Sequence, residues 1–469
     1  VKPSNTLILL ALVALAAVAL WRFELSDAAK SGDSAQAEVF SGVEAEQIVW
    51  VELAQPEGAV VRLEKRGEAW RLTQPVDAPA DRFAADGVAS ALAELASETV
   101  FDPAAEDAAR HPESPESYGL AREPRVRFEA AGKTHALRLG DPTPVAGNLY
   151  VAADGDARVF VVPQWQTNAL TKSLSELRDA RLLDFEREKL RKIALAWPGG
   201  GATLEKKGDD WHLVAPLGDL ADDVAVQALI SDLAALRAEN FLDAPPSDAE
   251  LGFDEPAYRV DLGQEGGASY ALVLGAKRDG ERLAARGGAS GAVEVAASAL
   301  ERLPKSAAAL RDKTLASFAS ADAQRFTLTL AEASGAPLVV TGTSTPEGWK
   351  TEPAMAAGAA SALMAEVASL FGREIAAESA GPAELAALGL APPRARIEVL
   401  GAGEGSAAKR LADVRLGVLR PGSGLAAQRA DRAVVYWIDT SRADALPQNA
   451  EQFRAKFVEL APAGAPAES

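Results

Sequence analysis

The side chains that could carry chemistry are few. The chain has no cysteine and only three histidines, His111, His135 and His212, no two of them at ligand spacing. Without cysteine there are no disulfides, zinc thiolates, iron–sulfur clusters, acylated lipoprotein thiols or thiol nucleophiles. His135 and His212 each sit in a strand-like run and read as half-exposed strand residues. Carboxylates occur in adjacent pairs, Asp209-Asp210 and Asp222-Asp223. Glycosidase chemistry needs two carboxyls about 5–10 Å apart in a cleft, and adjacency in sequence does not provide that. No D-x-[DN]-x-[DN]-G run supports calcium. The glycines around Gly199–Gly201 and Gly401–Gly405 lack a following Lys-Ser/Thr, which excludes a phosphate loop. Two polar motifs remain, Arg178-Asp179 and Arg311-Asp312. Neighbours on a helix do not face each other, so each pair reads as a tie from a helix end to the start of the next repeat. No catalytic, cofactor-binding or metal-binding residue is assigned, no cofactor is expected, and the chain reads as a non-enzyme.

The elements that would position these residues recur three times. GEAWRLTQPVDAPAD around Trp70 returns as GDDWHLVAPLGDLAD around Trp211 and, weaker, as PEGWKTEPAMAAG around Trp349, at offsets of 141 and 138. A glycine turn followed by proline recurs at Gly119, Gly252 and Gly389 (YGL, LGF and LGL). It reads as a turn needing positive φ before a strand. LRDARLLDF from Leu177 is matched by LRDKTLASF from Leu310, while FRAKFVEL from Phe453 lacks the Arg-Asp pair. The first copy also carries an acidic insertion, DPAAEDAARHPESPES. Three markers in one order define three domain-sized units, at 47–185, 190–318 and 324–460.

Within a unit, alternation predicts strands at Val49–Leu53, Val60–Glu64 and Ala69–Thr73. A helix is expected from an Asp81 N-cap with Val88, Leu92 and Leu95 on one face. Asp222, Leu229, Leu233 and Leu236 superpose on these positions, and Val367 and Phe371 continue the face in the third copy, which has no acidic cap. Strands at Arg125–Glu129, His135–Leu139, Leu149–Ala152 and Val159–Val162 and a closing helix at Gln166–Arg178 follow. The fold class is α+β, three tandem repeats of antiparallel sheet packed with helices. The recurring tryptophans read as core residues beneath the helices rather than ligand platforms.

Ahead of the repeats, Thr6–Trp21 is sixteen residues without a charge. A span needs about 20 apolar residues, with about 17 as the lower limit. Extended over about 5–23, with Arg22 snorkelling, the segment reads as a transmembrane helix within a signal anchor at 1–25. Trp21-Arg22-Phe23-Glu24 is a poor cleavage site, which disfavours a cleaved signal peptide. Residues 26–46 read as a flexible tether, and 461–469 as a disordered tail. The short N-terminal flank fits an N-inside orientation with the body exported. With 67 acidic against 48 basic residues, the net charge of −19 argues against nucleic-acid binding.

LEKRGEAWRLTQPVDAPAD from Leu63, LEKKGDDWHLVAPLGDLAD from Leu204, the YGLAREPRV turn from Tyr118 and the two LRD motifs resemble the bacterial "domain of unknown function 4340" family. The likeness covers nearly the whole chain and is weakest in the third copy. It implies a membrane-anchored envelope protein, and family members are often encoded beside gliding-motility-type ABC transporter components. The resulting expectation is a single-pass inner-membrane protein with its body on the periplasmic side. There it would act as a scaffold or accessory subunit contacting an envelope partner, with ABC transporter subunits as candidates. A structural spacer and an envelope hydrolase with carboxylates converging between domains are the alternatives.

Overall fold

The computed structural model describes residues 36–458 except 57, 98, 104–114, 279, 289–290 and 404–407. The expected anchor, residues 26–35 of the tether, His111 within the acidic insertion and the C-terminal tail lie outside the described residues. Residues 36–46 correct the tether expectation: Ala37–Glu38 pairs antiparallel with Ala96–Ser97, and Val39 and Phe40 are buried in the first core, because two apolar side chains there have a core to join. Among the described residues no helix is long and apolar enough to cross a membrane.

Three large antiparallel sheets, two of nine strands and one of eight, make up an α+β fold. In the first copy the alternating runs form β1 (Ile48–Ala54), β2 (Val60–Arg66) and β3 (Ala69–Gln74). Val51, Leu53, Val61, Leu63, Trp70 and Leu72 are buried on one face, as a period of two requires. Gly67, at φ 65°, turns β2 into β3. A cis Gln74–Pro75 bond precedes the two-residue β4 (Ala78–Pro79). The helix α1 (Arg82–Ala93) then starts at Asp81, whose carboxylate accepts the Ala84 amide at 2.8 Å. Its buried residues are Ala85, Val88, Ala89 and Leu92. Beyond it come β5 (Thr99–Phe101), β6 (Val126–Ala130), β7 (Lys133–Pro142), β8 (Asn148–Ala153) and β9 (Val159–Pro163).

The sheet order is β4-β3-β2-β1-β6-β7-β8-β9-β5, so the chain crosses from one edge to the other through α1 and returns to the centre. The second sheet repeats this order from Leu190–Trp197 to Ala292–Ala296, with its helix α2 (Asp223–Ala235) capped by Asp222 at 3.1 Å. The third sheet keeps the order but lacks a counterpart of β4. Its helix α3 (Ala359–Val367) begins at Gly358 with no side-chain cap.

Two further expectations are corrected. The closing helix at Gln166–Arg178 is instead a 3-10 segment, Gln164–Thr171, followed by a short α-turn, Leu174–Leu177. The Thr167 and Thr171 hydroxyls donate to the carbonyls of Gln164 and Asn168, competing with a continuous helical ladder. Ser173 and Glu176 then form a capping box that starts a new turn. In the third copy, α3 ends at Val367, so Phe371 falls in a short strand, Ser369–Phe371, where it is 50% exposed.

Trp70 and Trp211 are core residues, while Trp349 is half-buried against Phe326 at 5.2 Å. The two buried indoles differ in their polar atom. Trp70 Nε1 donates to Asp86 on α1 at 2.8 Å, whereas Trp211 Nε1 is buried without a hydrogen-bond partner. The residue at the place of Asp86 is Gln227, whose amide turns to Asp223. Trp70→Phe is therefore expected to destabilise more than Trp211→Phe, by the net worth of one hydrogen bond, about 0.5–1.5 kcal/mol. Denaturant unfolding of the two variants measures the difference, and equal losses would contradict it.

Contacts gather the chain into two compact units that do not follow the repeat boundaries. One comprises residues 1–182, 237–247 and 282–296; the other comprises 183–236, 248–281 and 297–469. The first unit contains a core built on β1, β2, β6 and α1, including Val51, Leu63, Phe128 and Val88. The second contains the core of the third copy, with Phe326, Leu363, Ile397 and Phe453 among its residues.

Candidate functional site

The Leu-Arg-Asp segments are main-chain partners of their own repeats. In the first, the Asp81 amide donates to the Leu177 carbonyl at 2.8 Å and the Asp179 amide to the Pro79 carbonyl at 3.0 Å. In the second, Asp222 donates to Leu310 at 2.9 Å and Asp312 to Leu220 at 3.0 Å. Each segment thus closes the stretch that leads into the capped helix. The arginine side chains go elsewhere. Arg178 donates to Asp243 at 2.5 Å and stacks over Phe241 at 4.1 Å, both in the second repeat. Asp179 pairs with Arg181 at 2.7 Å.

The second motif builds a larger cluster. Arg311 is 1% exposed, with Nε 3.6 Å from the Asp219 carboxylate and no hydrogen bond at Nε or Nη2. Arg432, from the turn between strands Gly424–Arg429 and Val435–Ile438, enters between two carboxylates. Its Nε donates to Asp219 at 2.7 Å, its Nη1 to the Asp312 carboxylate at 3.1 Å and its Nη2 to the Asp312 carbonyl at 2.7 Å. Tyr436 donates to the same carbonyl at 3.0 Å, and burial raises its phenol to about 12. Gln428 holds the turn by donating to the Arg432 carbonyl at 3.0 Å. Two arginines and two aspartates cancel in charge, and each carboxylate is engaged by a guanidinium. Such an arrangement suits a clamp rather than proton transfer. A cleft of about 470 Å³ beside it is lined by Lys207, His212, Asp219, Arg429, Asp431 and Arg432, in which Arg429 and Asp431 pair with each other at 2.8 Å.

The other sequence candidates are dispersed. Asp222 is a helix cap and Asp223 the exposed residue after it, while Asp209-Asp210 lies at an exposed hairpin turn. Gly199–Gly201 forms the tight turn between the strands ending at Trp197 and starting at Gly200. Gly119, Gly252 and Gly389 adopt φ of 73°, 71° and 68°, as the turn reading requires. Among the described residues no three His, Asp or Glu side chains gather in a way that could hold a metal ion.

His135 stacks on Phe128 with centroids 5.0 Å apart and meets Phe40 edge-on at 5.6 Å. Burial, with a smaller push from Lys133, lowers its pKa from the ordinary value. The unfolded chain therefore takes up this proton at a higher pH, about 6.5, than the folded chain does. The stability contributed by neutral His135 is full above about pH 6.5 and is lost as the pH falls toward the lower folded value. Replacing His135 with phenylalanine is expected to flatten the decline in unfolding free energy between about pH 7 and 5. An unchanged pH profile would count against it.

Asp219, Asp243 and Arg432 escaped sequence reasoning because their partners lie 65 to 213 positions away. One signal was present. The Arg-Asp pair is kept in the two copies that are each followed by another repeat, which fits a motif whose side chains reach past their own unit.

No curated protein and no solved structure matches the chain. A family model described as domain of unknown function (DUF4340) matches residues 70–251 and again residues 211–371, the matches starting at the two equivalent tryptophans. Together the matches span more than half of the sequence, and the chain belongs to the DUF4340 family.

Proposed function

We propose that the protein is a membrane-anchored extracytoplasmic scaffold or accessory subunit that binds an envelope partner, an ABC-type transport system being the candidate. Thr6–Trp21 would anchor it in the inner membrane, with the repeats on the periplasmic side. The observation that carries this reading is the use of the Arg-Asp motifs: they join segments of successive copies instead of assembling a reacting centre. A fold that invests its buried charges in holding repeats together is suited to presenting fixed surfaces. The transporter as partner rests on the family resemblance.

Affinity capture of the full-length protein from crosslinked membranes, read by mass spectrometry, tests the proposal. Specific recovery of permease and ATPase subunits, lost when repeats are deleted, is the expected result. Recovery of the protein alone, in a preparation where known membrane complexes survive, would overturn the accessory-subunit reading and favour a spacer.

A further inference from the structure

The first unit holds a second cleft, of about 480 Å³, lined by Leu139, Pro142 and Leu149 together with the charged residues Arg122, Glu123 and Arg125. Arg125 is half-buried, and among the described residues its guanidinium has no carboxylate or hydrogen-bond partner. Its neighbours differ: Arg122 pairs with Asp141 at 3.0 Å and Arg127 with Glu123 at 3.6 Å. Burial lowers the Arg125 pKa from the ordinary arginine value, and the Glu123 carboxylate that also lines the cleft pairs with Arg127 instead. An uncompensated, partly desolvated cation is unfavourable for the fold by itself.

The repeat architecture does not require that side chain in every copy. Arg125 contributes its backbone to the sheet, accepting from Ala54 and donating to Leu137, both at 2.9 Å. At the matching strand entry of the second copy, EPAYRV against EPRVRF, the residue is Ala257, while the third copy has Arg394 there with the same two backbone bonds. The arginine thus stands where alanine serves the same turn.

We propose that this cleft binds a small organic monocarboxylate with an apolar body, Arg125 forming the ion pair with the carboxylate. A single guanidinium fork matches one carboxylate in bidentate fashion. Leu139, Pro142 and Leu149 accept the apolar body, and the volume fits a small ligand. The net charge of −19 disfavours a polyanion at the same place. The carboxylate could belong to a peptide end or to an aliphatic acid. The site goes beyond the scaffold reading and does not depend on the transporter partner.

Calorimetric titration of the detergent-solubilised full chain at low salt tests it, with N-acetyl-alanyl-leucine, its C-terminal amide and hexanoate as probes. Saturable one-to-one binding of at least one acid, none of the amide, and at least tenfold weaker binding in Arg125→Ala are expected. Arg125→Gln gives a second reading of the same loss, and thermal unfolding confirms that both variants fold. Binding of the dipeptide acid alone would assign a peptide end; binding of hexanoate alone would assign an aliphatic acid. Absence of saturable binding by either acid, or equal binding by wild type and both variants, would overturn the proposal.

Discussion

Replacing Arg432 with alanine is expected to destabilise the second unit by about 3–5 kcal/mol, the usual loss when one partner of a buried ionic cluster is removed. Arg432 is 8% exposed at its side chain, and Asp219 and Asp312 are 10% and 16% exposed. Its removal leaves two carboxylates facing one guanidinium, Arg311, which already lacks hydrogen bonds at Nε and Nη2. It also strips the Asp312 carbonyl of one of two donors, leaving Tyr436. The double variant Arg432→Met/Asp312→Asn should lose less than Arg432→Ala alone. It leaves Arg311 and Asp219 as a balanced pair and keeps an acceptor for the Thr314 amide, now 2.8 Å from Asp312. Denaturant unfolding, with hydrogen exchange at Asp312 and Thr314, reads both variants. A loss below about 1 kcal/mol would place the cluster with exposed ion pairs instead.

What the sequence makes legible in this fold is whatever a short window encodes. The tryptophan hairpins show as alternation, Asp81 and Asp222 as helix caps, and Gly119, Gly252 and Gly389 as positive-φ turns, because each is decided within a few residues. Repetition then multiplies the hairpin and turn signals threefold and the cap signal twofold. The sheet order is different in kind. It depends on β4 and β5, two and three residues long, which are too short to show a period. The broken closing helix turns on hydroxyl competition at Thr167 and Thr171, which a helical apolar pattern conceals. The clamp is less legible still. Arg432 sits in a run, QRADRAVVYW, whose composition says only turn and strand, and its role exists because folding brings Asp219 and Asp312 to it. The Arg125 cleft likewise becomes visible once the missing counter-charge can be seen.

Opposite the turn glycines that the sequence singles out stands a second set, Gly140, Gly275 and Gly417, that it does not. Gly275→Ala is expected to destabilise the protein by about 3 kcal/mol or more, at or above the upper end of ordinary overpacking. A Cβ there would lie 2.0 Å from the Leu251 carbonyl oxygen and 2.9 Å from the Phe253 ring. The same close approach recurs in the other copies, where a Cβ at Gly140 would stand 2.3 Å from the Tyr118 carbonyl and one at Gly417 2.0 Å from that of Leu388. Each of these carbonyls belongs to the residue before, or directly at, the glycine turn, so turn backbone lies directly on strand backbone. Gly252 completes the contact from the other side, since its own Cβ would meet the Ala276 nitrogen at 2.6 Å. A backbone atom, unlike a side-chain tip, cannot move aside without disturbing its strand. Two controls separate this cause from others. Gly263→Ala, in the neighbouring strand with its nearest atom at 3.4 Å, should be near neutral. Gly199→Ala has open space but φ of 81°, and should lose only about 1–2 kcal/mol from backbone strain. If unfolding measurements place Gly275→Ala with Gly263→Ala, the turn does not need to lie on the strand. If they place it well beyond Gly199→Ala, backbone-on-backbone packing is what each repeat uses to seat its glycine turn.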